Sequence, residues 1–148
     1  MLSGRGICPN QEKAEHLMIL CDTSIWIRYF RKADDPLVEK FVLLLLENRV
    51  CINQFVYLEI LQGIKNEAHF EDVRKLLLEL PFLKFNGLQS IDLAIDIFRK
   101  CNGKAPVLTK PIDTLIAANA IENNVELFHR DKDFNFIAEK FPLKVFSF

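Results

Sequence analysis

The sequence predicts a single α/β domain of three layers, in which helices cover both faces of a mostly parallel central sheet. Two observations predict this class. Short apolar runs alternate with amphipathic segments along most of the chain, and strands that alternate with helices build βα units with parallel strands. The chain has 148 residues, of which 50% are hydrophobic and 26% are charged, and this length and composition are typical of one globular domain.

The first half of the chain contains two predicted strands and four predicted helices. Residues 18–21 are uniformly apolar, as expected for a buried parallel strand. Thr23 or Ser24 can cap the helix that follows, and Asn53 can cap a later one. The remaining elements are the first helix to about Tyr29, a helix that Pro36 opens and that runs to about Asn48, a strand at 49–52, and helices at 54–64 and 67–78.

The second half continues the alternation. Pro81 ends the fourth helix, and residues 82–85 are a candidate third strand. Asn102-Gly103 is a typical helix C-terminal signal, and Pro111 is a typical first-turn residue. The later predicted elements are helices at 88–100, 111–123 and 133–140, and strands at 125–129 and 144–147.

Residues 1–17 differ from the rest of the chain because they are polar, of mixed charge and without periodicity. We predict a disordered extension or a mis-assigned start codon, with Met18 as the natural start and 18–148 as the folded domain. The segment lacks the apolar core of a signal peptide. The strongly apolar run at 41–46 is shorter than the ~18 residues that a membrane span needs. We therefore expect a soluble cytoplasmic chain with no membrane partner, and free thiols at its four irregularly spaced cysteines.

Two aspartates stand where packing alone does not explain them. Asp22 follows the first strand, and ligands of α/β sheets bind outside the carboxyl ends of the strands; the alternative is a helix cap. Asp113 shares a helix face with Ile116, Ala117 and Ala120. An ionised carboxylate on a small, apolar face is costly unless a positive group meets it; the alternative is favourable interaction with the helix dipole in the first turn.

Three further acids have weaker signals of the same kind. Glu59 lies one turn from Phe55 on an apolar helix, and the alternative is an exposed glutamate that happens to sit there. Asp131 and Asp133 follow the strand at 125–129, again at a carboxyl end. The alternative for this pair is ordinary loop and cap chemistry.

Convergence of these acids at one sheet edge predicts a metal site. Carboxylates that lie close together raise each other's pKa and destabilise the fold. A hard divalent cation such as Mg²⁺ or Mn²⁺ resolves this repulsion, because it takes oxygen ligands and keeps waters and substrate phosphates in its shell. No Ser/His/Asp or Cys/His set competes, and the five scattered glycines form no phosphate-binding loop.

The overall charge gives no sign of a nucleic-acid partner, since the net charge is −1. If RNA is a ligand, local cationic clusters must attract it. The candidate clusters are Arg28, Arg31 and Lys32, and Arg99, Lys100 and Lys104.

Four segments, each with one or more of these acids, follow one another along the chain: ILCDTSIWI, FVYLEILQGI, PIDTLIAANA and ELFHRDKDF. Together they resemble the four blocks of a PIN domain, and more narrowly of the VapC-type toxins of bacterial toxin–antitoxin pairs. The resemblance extends over residues 18–148. Each segment alone is a weak signal, but four in order, each with its acid, are highly specific.

The resemblance implies a catalytic and metal-binding set. Asp22, Glu59 and Asp113 match the three most regular acids of the family, and Asp131 matches the fourth, although Asp133 remains an alternative. Asp22 and Asp113 are expected as the firmest ligands. Thr23 matches the hydroxyl residue beside the first acid, whereas many members have Thr where this chain has His129.

The resemblance also implies an activity and partners. The expected protein is a Mg²⁺-dependent endoribonuclease toxin that hydrolyses RNA with a metal-activated water, forms a homodimer and is neutralised by a VapB-type antitoxin. Residues 41–46 and the helix with Ile25, Trp26 and Tyr29 are candidates for flanking the antitoxin groove, or else for plain core packing. The alternatives are an inactive PIN-like binding module and a receiver-like phosphoacceptor domain, which is disfavoured because Asp22 has no acidic neighbour.

Overall fold

Four short strands form one all-parallel sheet in the computed structural model, which describes residues 18–103, 108 and 110–148. The strand order is β2-β1-β3-β4, so every connection between the strands crosses over through helices. This arrangement confirms the predicted three-layer α/β/α class. The predictions for residues 1–17 lie outside the described residues. The strands are β1 (Ile19–Cys21), β2 (Val50–Cys51), β3 (Glu126–Phe128) and β4 (Lys144–Val145).

Seven helices connect and cover these strands within the described part of the chain. They begin and end within a few residues of the predicted bounds, because their caps and periodicity are local features of the sequence. They are α1 (Thr23–Phe30), α2 (Pro36–Leu46), α3 (Gln54–Gln62), α4 (Glu67–Leu78), α5 (Leu88–Asn102), α6 (Pro111–Glu122) and α7 (Lys132–Lys140). None of the helices in these residues is both long and apolar enough to cross a membrane.

Residues with positive φ follow four of these helices, and three of them are asparagine or glycine, the exception being Lys32 (φ +54°) after α1. Asn48 (φ +55°), Gly103 (φ +37°) and Asn124 (φ +53°) follow α2, α5 and α6 in the left-handed region. Glycine and asparagine adopt this conformation more readily than other residues, so they commonly stop helices. The predicted ends at Asn48, at Asn102-Gly103 and at Asn123-Asn124 are therefore confirmed.

The sheet register brings the ends of β1 and β3 to the same level. Cys21 pairs with Phe128, the last residue of β3, and the Asp22 N–H donates to the Phe128 carbonyl at 2.9 Å. Because both strands run in the same direction, the residues after them emerge at one edge of the sheet. That edge carries Asp22 and the loop that leads to Asp131.

The core lies on both sides of β1, whose three residues are at most 1% exposed. Trp26 packs edge-on against Phe41 at 4.7 Å between ring centroids, and both are fully buried. Ile25 and Leu44 are also fully buried. These four residues therefore pack in the core. Leu43 and Leu46 of the 41–46 run are 52% and 75% exposed, so a place for this run beside an antitoxin groove stays a prediction.

Two local predictions are wrong. The N-cap of α1 is Asp22 and not Thr23 or Ser24, because the extended Asp22 backbone lets its Oδ2 accept from the Ser24 N–H at 3.1 Å. The strand predicted at 82–85 is reduced to a single parallel bridge between Phe82 and Ile52.

Side chains of α6 explain why this third strand stops. The Lys84 carbonyl accepts from Asn119 Nδ2 at 2.9 Å and from Asn123 Nδ2 at 3.0 Å. These contacts replace the backbone partner that a longer strand would require.

Candidate metal-binding active site

The four acids that the sequence analysis brought together line one cavity at the carboxyl edge of the sheet. The cavity has a volume of about 180 Å³. It is formed by the start of α1, the middle of α3, the start of α6 and the loop between β3 and α7. Its lining residues are Asp22, Thr23, Ser24, Ile27, Glu59, Lys110, Asp113 and Asp131.

Asp22 has a structural role and also faces the cavity. It is 5% exposed, and its Oδ2 accepts from the Ser24 N–H at 3.1 Å and from Ser24 Oγ at 2.7 Å. Burial raises the pKa of this carboxyl, and the hydrogen bonds from Ser24 partly offset that rise. The cap interpretation and the site interpretation are therefore compatible, since one carboxylate serves both.

Asp113 is the most strongly perturbed acid of the cavity. It occupies the first turn of α6, two residues after Pro111, and it is 5% exposed. Burial raises the pKa of Asp113 to about 7, with further contributions from the charges of Asp22 and Asp131. Its Oδ2 is buried and has no hydrogen-bond partner among the described residues. A buried carboxylate oxygen that accepts no hydrogen bond is stabilised by a bound cation or by a proton.

Glu59 is fixed in the cavity by a hydroxyl group from another element. Thr23 Oγ1, at the start of α1, donates to Glu59 Oε1 at 2.9 Å. Burial raises the pKa of Glu59, whereas the Thr23 hydrogen bond lowers it. The hydroxyl residue beside the first acid therefore orients the second acid, and its hydrogen bond favours the ionised form.

Both acids of the D-x-D segment lie near Asp113. Carboxylate oxygens of Asp113, Asp131 and Asp133 all lie within 4.8 Å of one another. Asp131 lines the cavity and also caps α7, because its Oδ1 accepts from the Asp133 N–H at 2.9 Å. Either Asp131 or Asp133 can thus serve as the fourth acid of the site.

His129 supports this segment with its ring and not with a hydroxyl group. Its Nδ1 accepts from the Asp131 N–H at 3.0 Å, and its ring lies 5.0 Å from the Phe134 ring. Burial lowers the pKa of His129. The imidazole therefore orients the backbone of Asp131.

Two cavity residues were missed by sequence reasoning. Ser24 joins the edges of β1 and β3, because its Oγ donates to Asp22 and accepts from the Arg130 N–H at 3.2 Å. Lys110 lines the cavity three residues before Asp113. A lysine one turn ahead of a suspected ligand was the available signal.

The cationic clusters proposed from sequence are partly neutralised. Arg28 forms an ion pair with Asp35, and Lys100 pairs with Asp96 at 3.1 Å. Lys104 lies outside the described residues. These pairs reduce the positive charge that the clusters can offer to a phosphate backbone.

The cavity residues fit a hard divalent cation. The carboxylates supply oxygen ligands only, the set that Mg²⁺ and Mn²⁺ prefer over zinc or copper. The unpartnered Oδ2 of Asp113 and the mutual repulsion among these acids are both relieved when a cation binds.

The chain is similar to known proteins of one family. The PIN domain family model matches residues 19–140. The chain is 32% identical over 133 residues to a VapC ribonuclease of Mycobacterium bovis and to ribonuclease VapC11 of Mycobacterium tuberculosis. The aligned region covers 88% of this chain and 99% of each relative.

Solved structures share the fold. VapBC2 from Rickettsia felis, bound to a DNA fragment from its promoter, matches with a TM-score of 0.69 at 20% identity over 88% of this chain and 98% of that chain. FitAcB from Neisseria gonorrhoeae matches with a TM-score of 0.62 at 20% identity, over 88% of this chain and 97% of that chain. With the family model and the curated relatives, these matches show that the chain belongs to the PIN domain family and, within it, to the VapC ribonucleases.

Proposed function

We propose that this chain is a Mg²⁺-dependent endoribonuclease, the toxin of a toxin–antitoxin pair, with Mn²⁺ as a possible substitute ion. The observation that carries the proposal is the convergence of Asp22, Glu59, Asp113 and Asp131 on one cavity. These residues come from four separate parts of the chain, so core packing alone gives no reason for their meeting. The named relatives are ribonucleases, which supports RNA as the substrate class.

Each acid has a distinct part in the proposed mechanism. Asp22 and Asp113 would hold the ion, and Glu59 and Asp131 would complete the pocket. When bound, the divalent cation supplies positive charge beside the scissile phosphate and lowers the pKa of the attacking water. The Thr23 hydrogen bond orients Glu59 and favours its ionised form, and the cap geometry of Asp131 fixes its carboxylate before substrate arrives.

The direct test is RNA cleavage by the purified chain in Mg²⁺, with EDTA as the matched control. Controlled expression in a heterologous host, followed by sequencing of RNA ends, would identify the cleaved RNA and the position of the cut. Cleavage that needs the metal supports the proposal. RNA binding without cleavage in either condition would instead support the inactive binding module.

A groove beside the acids supports an antitoxin partner. A cavity of about 370 Å³ between α1, α3 and the start of α4 shares Ile27 and Glu59 with the acidic cavity. Phe30, Ile60 and Ile64 give it an apolar floor, which is the surface that an amphipathic helix recognises. A segment bound here would cover Glu59 and so block substrate. Co-purification with the product of the neighbouring reading frame, and loss of cleavage in the complex, would test this.

A stripe of apolar side chains supports the proposed homodimer. Leu88, Ile95 and Phe98 project from one side of α5 with exposures of 74%, 49% and 38%. Contiguous exposed apolar surface commonly marks a protein interface. Light scattering of the parent and of an Ile95→Glu variant would test the proposal, with a dimer expected for the parent and a monomer for the variant.

A further inference from the structure

Lys110 is the only cation among the described residues that line the acidic cavity. It is the N-cap residue of α6, and its backbone carbonyl accepts from the Asp113 N–H at 3.2 Å. Pro111 at the first helical position fixes the chain direction there. The fold thus holds the lysine one turn before the most perturbed acid, at the mouth of the cavity.

Among the described residues, the ammonium group of Lys110 forms no ion pair with the acids around it. Within the described part of the chain it forms neither a hydrogen bond nor an ion pair shorter than 4.0 Å, and the residue is exposed. It is still within electrostatic reach of the acids. Burial raises the pKa values of Asp113 and Glu59, and the charge of Lys110 lowers both.

The position of Lys110 can offset the electrostatic repulsion between the acids and an RNA phosphate. One divalent cation cancels only part of the charge of four ionised carboxylates, so the cavity still repels an RNA phosphate. An exposed, unpaired ammonium group at the rim can contact that phosphate, because lysine binds phosphate as a point charge. It also adds to the counterion release that drives binding to a nucleic-acid backbone.

We propose that Lys110 is a substrate-binding residue whose ammonium group contacts a backbone phosphate of the RNA at the mouth of the acidic cavity. The inference rests on the proposed nuclease function and adds a residue to it. The same positive charge opposes cation binding by the acids. Loss of the charge should therefore weaken RNA binding and strengthen Mg²⁺ binding, two opposite changes that a merely structural residue would not produce.

The test compares Lys110→Gln with Lys110→Arg, which keeps the charge, and with Lys144→Gln as the matched control. Lys144 is exposed and starts β4, opposite Glu126 at the start of β3. It therefore lies at the other edge of the sheet from the acids, and its substitution makes the same change in net charge.

Three measurements decide the role. For Lys110→Gln we expect KM for a pool of short single-stranded RNAs to rise about three- to tenfold with kcat nearly unchanged, the effect of one lost exposed charge contact. The slope of log affinity against log salt should become shallower by about 0.7, the value for one single-strand phosphate. The Mg²⁺ concentration that gives half of the melting-temperature gain should fall. Lys110→Arg and Lys144→Gln should resemble the parent.

The outcomes separate this inference from the nuclease proposal. An unchanged KM and salt slope for Lys110→Gln, or equal changes in Lys144→Gln, would overturn the role of Lys110. If the parent cleaves none of the RNA pool, the nuclease proposal fails. Fluorescence anisotropy of the labelled pool in EDTA and the Mg²⁺ melting series would then still decide whether Lys110 binds phosphate and opposes the cation.

Discussion

Thr23 Oγ1 donates a 2.9 Å hydrogen bond to Glu59 Oε1, and this bond joins residues 36 positions apart in the sequence. It links the start of α1, immediately after Asp22, to the middle of α3. The bond fixes the position of the second acid relative to the first. Removing the hydroxyl group should therefore disturb the cavity without disturbing the core.

We predict that Thr23→Val lowers kcat/KM for RNA about tenfold. A hydrogen bond to a charged group is worth roughly 1.5–3 kcal/mol, and we expect part of this free energy to be lost from the stabilisation of the transition state. Valine has nearly the same shape, so the fold should persist. Thr23→Ser keeps the hydroxyl group and is the matched control. Equal activity of the valine and serine variants would contradict a positioning role.

Replacement of Asp22 or Asp113 by asparagine should abolish cleavage while the protein stays folded. Each carboxylate supplies charge to the cation, and asparagine is also a good N-cap residue, so α1 should still start at Thr23. Asp96→Asn is the control, because Asp96 lies outside the cavity as a partly exposed partner of Lys100 on α5. Circular dichroism and RNA cleavage would be measured for all three variants, and full activity of either cavity variant would refute the assignment.

Removal of one acid should stabilise the metal-free protein. In EDTA near pH 8, above the pKa of about 7 of Asp113, Asp113→Asn and Glu59→Gln should melt several degrees above the parent. The reason is that repulsion and burial of these charges cost about 1–3 kcal/mol. Added Mg²⁺ should raise the melting temperature of the parent more than that of the variants, because binding to the native state stabilises it.

This melting experiment also has a clear negative result. If the two variants melt no higher than the parent in EDTA, and Mg²⁺ moves none of the three, these acids do not share a cation site.

The pH dependence follows from the raised pKa of Asp113. The native state holds this proton up to a pKa of about 7, whereas the ordinary value is 3.8. The stability gained from the bound proton is therefore complete below pH 3.8 and is lost as the pH rises through about 7. In EDTA the melting temperature of the parent should therefore fall as the pH rises from about 4 to about 7 and level off above that pKa, and it should fall less for Asp113→Asn.

Proton competition should appear in Mg²⁺ binding as well. Because Asp113 must lose its proton to bind the cation, the half-saturating Mg²⁺ concentration should rise about tenfold for each pH unit below 7. Melting curves at several Mg²⁺ concentrations and pH values would measure this. A half-saturating concentration independent of pH would contradict Asp113 as a ligand.

The sequence by itself determined the fold class and the acids. The uniformly apolar run at 18–21, the Asn53 cap and Pro111 at a first turn all act within a few residues, and all appear in the structure as predicted. Parallel strands then bring their carboxyl ends to one edge of the sheet. The position of Asp22 at this edge can therefore be predicted from the sequence.

Only the tertiary structure decided which local options were used and what surrounds the acids. Capping of α1 by Asp22, where sequence favoured Thr23 or Ser24, frees the Thr23 hydroxyl group for Glu59. Lys110 became a cavity residue only because α6 packs beside α3 and β3. Capping propensities and helical periodicity are short-range and can be recognised in a sequence. Cavity lining and hydrogen bonds between distant residues depend instead on how whole helices pack against the sheet.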